Sequence, residues 1–135
     1  MPKQKKTDLK KHILLVEDEP LLIDLYSEYF GDSPDFTITV AKNGNEGLEK
    51  AQDGADLILL DILLPELNGF EVLKRLKASN STKDIPVIVF TNLGSETSDK
   101  DKQLALSLGA EDYLVKSYHT PEELGNIIKE KLRVK

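Results

Sequence analysis

Short apolar runs alternate along this chain with longer segments of helical period, and this alternation restricts the fold to very few classes. Five runs have the length and residue types of strands: Ile13–Val16, Phe36–Ala41, Leu57–Leu60, Pro86–Phe90 and Tyr113–Val115. Three of them are continuously apolar, which is typical of strands in a parallel sheet that helices cover on both faces. No apolar run approaches the length of about 20 residues that a membrane-spanning helix needs.

Helical patterns fill the intervals between these runs. The predicted helices are Pro20–Phe30, Asn45–Gln52, Gly69–Ala78, about Thr97–Leu108 and Pro121–Leu132. Gly31, Gly54 and Gly109 follow three of them and are expected to end them, because glycine favours the position just past a helix. With right-handed crossovers, this order of elements predicts an α/β fold, a doubly wound five-stranded parallel sheet with five helices.

The 135 residues are enough for one domain, and their charge is unevenly distributed. Residues 1–11 carry five lysines against Asp8, a net +4, so the rest of the chain must carry −10 to give the overall net charge of −6. We expect residues 1–11 to form a flexible basic N-terminal arm and residues 12–135 to form the folded domain. The acidic domain argues against direct nucleic-acid binding, and lysines without aromatic neighbours do little to favour it.

Cysteine is absent, which excludes disulfides, thiolate metal sites and cysteine nucleophiles. The basic N-terminus is not followed by the apolar segment of a signal peptide. We therefore expect a cytoplasmic protein that does not associate with membranes.

Polar residues stand directly behind four of the five predicted strands. Glu17 and Asp18 follow the first strand, Asp61 the third, Thr91 the fourth and Lys116 the fifth. Ligands of doubly wound sheets bind outside the carboxyl ends of the strands, so these side chains are expected to converge on one shallow site.

A cluster of carboxylates repels itself unless a cation intervenes. Oxygen ligands suit Mg²⁺, which keeps several waters in an octahedral shell, so the residues predict a magnesium site. Any one of these acids could instead cap the helix that follows it. Polar residues at the ends of four strands that meet at one edge of the sheet are better explained by a common site than by four separate helix caps.

Four segments in a fixed order carry a resemblance to a known family. They are LLVEDEP (14–20), LILLDILLPELNGFEVLK (57–74), PVIVFTN (86–92) and GAEDYLVKS (109–117). With them, residues 12–132 resemble the receiver domain of two-component response regulators. The resemblance implies a flavodoxin-like receiver fold with strand order 2-1-3-4-5.

The resemblance also implies the chemistry of the site. Asp61 would be the phosphoacceptor, taking a phosphoryl group from a sensor histidine kinase or a histidine phosphotransfer protein. Asp18 and Asp61 would bind Mg²⁺ with the backbone carbonyl of Leu63, and Glu17 would do so through water. The domain would be a signalling domain rather than an enzyme, with only slow self-catalysed phosphorylation and dephosphorylation.

Thr91 and Lys116 match the family residues that hold the phosphoryl oxygens. Thr91 and Tyr113 match its switch pair, which implies that phosphorylation reshapes the face of helix four, strand five and helix five for an unidentified downstream protein. Tyr113 could instead be an ordinary half-buried strand residue with a solvated hydroxyl. A monomer and a phosphorylation-dependent dimer both remain open, as does whether the domain stands alone or belongs to a longer regulator.

The sequence departs from the family pattern beside the site. Ser117 follows Lys116 where the family usually has proline, which leaves open whether that peptide bond is trans or cis. Asn92 occupies a place where a small residue is usual. Leu63 and Leu93 stand two places beyond Asp61 and Thr91, and because leucine cannot orient a water molecule we expect a long-lived aspartyl phosphate.

Two other functions use similar residues. A hydrolase with an aspartyl-phosphate intermediate normally needs a second carboxylate two residues after the nucleophile, where this chain has Leu63. A flavin-binding electron carrier of the same topology needs a loop rich in serine, threonine or glycine after the first strand. Glu17 and Asp18 occupy that loop and would repel a flavin phosphate.

Overall fold

The computed structural model describes residues 10–92 and 98–132. Within these residues the strands are Lys11–Val16 (β1), Phe36–Ala41 (β2), Leu57–Leu60 (β3), Val87–Thr91 (β4) and Asp112–Val115 (β5). The α-helices are Pro20–Asp32 (α1), Gly44–Ala51 (α2), Gly69–Ala78 (α3), Ser98–Ser107 (α4) and Pro121–Leu132 (α5), and a 3-10 helix covers Lys116–Tyr118.

All strand pairs are parallel, and the order across the sheet is β2-β1-β3-β4-β5, which confirms the predicted topology. Val16 pairs with Leu60 at the ends of β1 and β3, and Thr91 pairs with Val115 at the ends of β4 and β5. Because these last pairs lie in register, Thr91 at the end of β4 and the residues that follow β1, β3 and β5 meet along one edge of the sheet.

The sheet separates two apolar cores, because alternate residues of a strand point to opposite faces. Leu14 and Val16 of β1 belong to the core beneath α2, α3 and α4, whereas Ile13 and Leu15 pack on the opposite face against α1 and α5. Every residue of β3 is buried, as expected for a central strand covered on both sides.

The predicted role of glycine at helix ends is confirmed at two of three positions. Gly54 and Gly109 adopt positive φ angles of 94° and 109°, which favour glycine just past a helix. The prediction for Gly31 is wrong, because α1 continues through it to Asp32 and ends where the Ser33 N–H bonds to the Phe30 carbonyl.

The element boundaries differ from the predicted ones by a few residues. β1 begins at Lys11, inside the predicted N-terminal arm, because the Lys11 N–H donates to the Asp35 carbonyl and Lys11 pairs with Phe36. Residues 1–9 of the arm, the predicted helix start at Thr97 and residues 133–135 lie outside the described residues. No helix of the described ranges is long and apolar enough to cross a membrane.

Candidate functional site

The predicted site residues lie together at the carboxyl edge of the sheet. Glu17, Asp61, Thr91 and Lys116 are buried, and Asp18 is exposed to solvent. Buried charged side chains are rare unless they are paired, so this concentration sets the edge apart from the rest of the described surface. The predicted convergence of the four strand ends is therefore found.

Lys116 forms the centre of the cluster. Its Nζ donates to Asp61 Oδ2 at 2.9 Å and to Glu17 Oε1 through a second, short hydrogen bond. Burial works to lower the pKa of Lys116, but the hydrogen bonds and charges of Glu17 and Asp61 outweigh it and raise that pKa. The ammonium is thus held in its charged form by the two carboxylates.

Burial disfavours the charged form of Glu17. Burial raises the pKa of its carboxyl above the usual 4.5, and the neighbouring Asp61 charge adds to the rise. The hydrogen bond from Lys116 opposes both effects, as does a bond from the Glu19 N–H to Glu17 Oε2 at 3.1 Å. A nearby cation would therefore favour the charged form of this buried carboxylate.

The backbone fixes Asp61 firmly. Its N–H donates to the Val16 carbonyl at 3.1 Å, and its Oδ1 accepts the Leu63 N–H at the same distance. Both carboxylate oxygens therefore have a donor, one from Lys116 and one from the chain two residues on.

The donor set suits a hard divalent cation. Glu17, Asp18 and Asp61 each offer a carboxylate oxygen, and these oxygens all lie within 4.8 Å of one another. With Lys116 included, the four side chains carry a formal charge of −2, which a divalent ion would neutralise. Oxygen ligands with an exposed side suit Mg²⁺, which retains water when it binds.

The two predicted switch hydroxyls share an unusual environment. Thr91 Oγ1 and the Tyr113 hydroxyl are both buried, and neither has a hydrogen-bond partner among the residues that the structure describes. Burial raises the pKa of Tyr113, with Asp101 and Asp61 adding to the rise. Because an unpaired buried hydroxyl costs about 1–3 kcal/mol, two of them beside one charged cluster favour a functional role over an ordinary packing role.

Their position on the sheet is also shared. Tyr113 pairs with Val89 and Thr91 pairs with Val115, which places both hydroxyl residues on the face that packs against α3 and α4. The alternative of a half-buried Tyr113 with a solvated hydroxyl does not describe this side chain, which is only 6% exposed.

Sequence reasoning missed the contact that Gly69 makes with the phosphoacceptor candidate. Pro65 and Gly69 stand four and eight residues after Asp61, and from the sequence alone they are interpreted as ordinary turn residues before the predicted helix Gly69–Ala78. In the structure, a Cβ at Gly69 would stand 2.3 Å from the Asp61 carbonyl oxygen and 2.5 Å from Ile62 Cα. The Gly69 N–H also donates to the Ile62 carbonyl at 2.9 Å, so α3 begins directly against the backbone of Asp61.

Replacement of Gly69 by alanine should therefore lower the free energy of unfolding by about 1–3 kcal/mol, the usual range for overpacking. Urea unfolding would measure this loss. Gly31→Ala is the matched control, because a Cβ at Gly31 meets nothing within 4 Å. Gly31 lies inside α1, so its replacement should stabilise the protein by up to about 1 kcal/mol. Equal effects of the two substitutions would contradict the proposed contact.

Two further details concern positions near the site. The described residues contain no cis peptide bond, so the bond between Lys116 and Ser117 is trans. Leu93, one of the two leucines expected to affect phosphoryl lifetime, lies outside the described residues.

Comparison with known proteins identifies the family. The sequence profile described as "Response regulator receiver domain" matches residues 13–129. The uncharacterized transcriptional regulatory protein YkoG of Bacillus subtilis is 41% identical over an alignment of 122 residues that covers 87% of this chain and 50% of YkoG. The transcriptional regulatory protein CpxR of Klebsiella pneumoniae is 40% identical over 115 residues, 85% of this chain and 47% of CpxR.

The chain thus spans about half the length of these curated relatives. Both are transcriptional regulatory proteins by name, so the expectation of no direct nucleic-acid binding has no support from them.

Solved structures agree with this result. A chemotaxis-regulator-like receiver domain from Methanospirillum hungatei JF-1 superposes with a TM-score of 0.81 at 28% identity, over 92% of this chain and 94% of that one. The receiver domain of the sensor histidine kinase PA1611 from Pseudomonas aeruginosa PAO1 has a TM-score of 0.75 at 26% identity, over 93% and 99% of the two chains. That structure contains a magnesium ion in its active site cleft.

The matched residues extend from β1 into α5 and take in every strand that contributes to the site. The chain therefore belongs to the response regulator receiver domain family, whose members accept a phosphoryl group in two-component signal transduction.

Proposed function

We propose that Asp61 is the phosphoacceptor of this domain. The observation that carries the proposal is the arrangement of Lys116, which contacts the carboxylates of both Asp61 and Glu17 at the edge where the family's chemistry takes place. An Asp61 carboxylate oxygen would attack the phosphorus of a phosphohistidine. The P–N bond then breaks, and its electron pair returns to the imidazole of the partner.

Asp18, Asp61 and the backbone carbonyl of Leu63 would hold Mg²⁺, with Glu17 acting through a water molecule. When bound, Mg²⁺ neutralises charge on the phosphoryl oxygens and on the acidic cluster. Exposure of Asp18 gives the ion and the phosphodonor access from solvent. The bonds from Lys116 and the Leu63 N–H keep the Asp61 carboxylate oriented for the attack.

Thr91 and Lys116 would bind the phosphoryl oxygens after transfer. Thr91 Oγ1 is a buried donor without a described partner, so it gains a hydrogen bond when it reaches the new anion. Movement of Thr91 would change the space available to Tyr113, and the face of α4, β5 and α5 would change with it. A histidine kinase or phosphotransfer protein upstream and an effector downstream are the partners that this switch implies.

Incubation of the protein with a small phosphodonor and Mg²⁺ tests the proposal. We expect a mass increase of one phosphoryl group per chain, with no increase when a chelator replaces Mg²⁺, because the uncompensated acidic cluster repels the donor. Sustained release of phosphate from phosphomonoesters over many turnovers would instead indicate the hydrolase.

The lifetime of the aspartyl phosphate should depend on Leu63. Its side chain is 56% exposed two residues beyond Asp61, and it has no group that can orient an attacking water. We expect Leu63→Gln to speed loss of the phosphoryl group by about tenfold or more, less than the roughly 10²–10⁴-fold of a positioned acid or base, because glutamine would only orient the attacking water.

Loss of a radioactive label after removal of the donor would measure this rate. Leu63→Met is the control, because it keeps an apolar side chain of similar volume and should leave the lifetime unchanged. Rapid loss of label from the unmodified protein would show that Leu63 does not protect the phosphoryl group.

A further inference from the structure

A hydrogen bond of the Asn92 side chain connects the end of β4 with the segment after β5, beyond the last residue pair of the sheet. The N–H of Ser117 donates to Oδ1 of Asn92 at 3.1 Å. Asn92 directly follows Thr91, and Ser117 directly follows Lys116. The parallel ladder ends with Thr91 paired to Val115, so the Asn92 side chain continues the connection between the two strands where the backbone no longer does.

The 3-10 helix that begins at Lys116 explains why this bond forms. The first N–H groups of a helix have no partner within it and are usually satisfied by a side chain at the N-cap. The N-cap residue here is Val115, which is apolar and provides no such bond. Asn92, directly after β4, supplies the acceptor, and serine at position 117 permits the bond because proline would have no N–H.

The bond bears on the site because of what Lys116 must do. Its long side chain has many rotamers, and its Nζ is held at the far end by Asp61 and Glu17. The position of Nζ is determined only if the backbone of Lys116 is also held. The backbone on its amino side belongs to β5, and on its carboxyl side the bond between Asn92 and Ser117 provides the connection to β4.

We propose that Asn92 is a positioning residue for phosphoryl transfer, in that its side-chain amide caps the turn after β5 and so fixes Lys116 relative to Asp61 and Thr91. The inference rests on the function proposed above for these three residues. Asn92 acts through Ser117 and Lys116, and contact with the phosphoryl group is not required of it.

The test compares rate constants for phosphorylation by a small phosphodonor with Mg²⁺ present. Asn92→Ala removes the acceptor, and we expect the rate constant to fall by about threefold to tenfold, the equivalent of one ordinary hydrogen bond. Exchange of the Ser117 amide hydrogen, measured without phosphodonor, should accelerate in the same variant by about threefold or more, because the amide loses its acceptor.

Two substitutions at position 117 separate positioning from other effects. Ser117→Ala keeps the N–H, so Asn92→Ala should have its full effect in that background. Ser117→Pro removes the N–H, so Asn92→Ala should have no further effect there. Agreement with both expectations would show that Asn92 acts through this bond.

Several outcomes would overturn the inference. An unchanged rate constant in Asn92→Ala would do so, as would unchanged Ser117 exchange in that variant. An equal effect of Asn92→Ala in both backgrounds would show that the substitution does not act through the bond to Ser117. Failure of the unmodified protein to take up any phosphoryl group would overturn the proposed function as well, whereas the other outcomes would leave that function standing.

Discussion

Replacement of Asp61 by asparagine should abolish phosphoryl incorporation. The substitution preserves the shape of the side chain but exchanges the anionic oxygen for a neutral amide, which is a far weaker nucleophile. Asparagine can still accept the Leu63 N–H through its amide oxygen, and Lys116 keeps its bond to Glu17. Mass measurement after incubation with a small phosphodonor and Mg²⁺ would detect the loss.

Asp53→Asn is the matched control. Asp53 is exposed beyond the carboxyl end of α2, at the opposite edge of the sheet from the site. The Asp53→Asn substitution removes the same charge as Asp61→Asn but lies away from the site, so it should leave phosphoryl incorporation unchanged. Incorporation by Asp61→Asn at the unmodified level would show that the acceptor is another residue, and Asp18 would be the first to examine.

The arrangement of this site follows from features that are visible in sequence. Continuous apolar runs and the helices between them predict a doubly wound parallel sheet, and Glu17, Asp61, Thr91 and Lys116 stand at the carboxyl ends of its strands, whereas the strand order was implied by the family resemblance. This part of the prediction depends only on periodicity and topology, which hold along whole elements.

Details that depend on the distance between two backbones were not predictable. Gly69 reads as a turn residue from its neighbours in sequence, yet it is required by the approach of α3 to the Asp61 carbonyl. The bond between Asn92 and Ser117 likewise joins residues far apart in sequence, one directly after β4 and one in the 3-10 helix after β5. At Gly31 the sequence predicted a helix end that is not there. The local preference of glycine for a helix end is overridden, because α1 keeps its helical backbone to Asp32.

The ion-pair partners of Lys116 were likewise not predictable from the sequence. Its type and position after β5 indicated a contact with an anion, and the structure adds that Glu17 and Asp61 are already its partners. In the absence of a phosphoryl group the lysine therefore stabilises the acidic cluster, so one residue serves both the folded state and the proposed transfer reaction.

Replacement of Lys116 by methionine should consequently be severe. Methionine matches the length of the lysine stem but leaves the buried carboxylates of Glu17 and Asp61 without their cation. Removal of one partner from a buried ionic cluster costs about 3–5 kcal/mol, so we expect a loss of that size in the free energy of unfolding. Urea unfolding in the presence of a chelator would measure it.

Lys129→Met is the control, because Lys129 also has a short ion pair, 2.8 Å from Asp35, but on the surface. The two side chains are 47% and 51% exposed, and such pairs contribute at most about 1 kcal/mol. Similar losses in the two variants would contradict a special role for Lys116.

The loss in Lys116→Met should also respond to cations and to pH, because its cause is uncompensated negative charge. Added Mg²⁺ should restore more stability to this variant than to the unmodified protein, since the ion can replace the missing charge. Burial already raises the pKa of Glu17, and loss of Lys116 removes the main opposing effect. An acid whose pKa is higher in the folded state stabilises that state as pH falls, so the deficit measured with chelator should shrink as the solution is acidified from neutral pH. A deficit independent of both Mg²⁺ and pH would point to lost packing of the lysine stem rather than to charge.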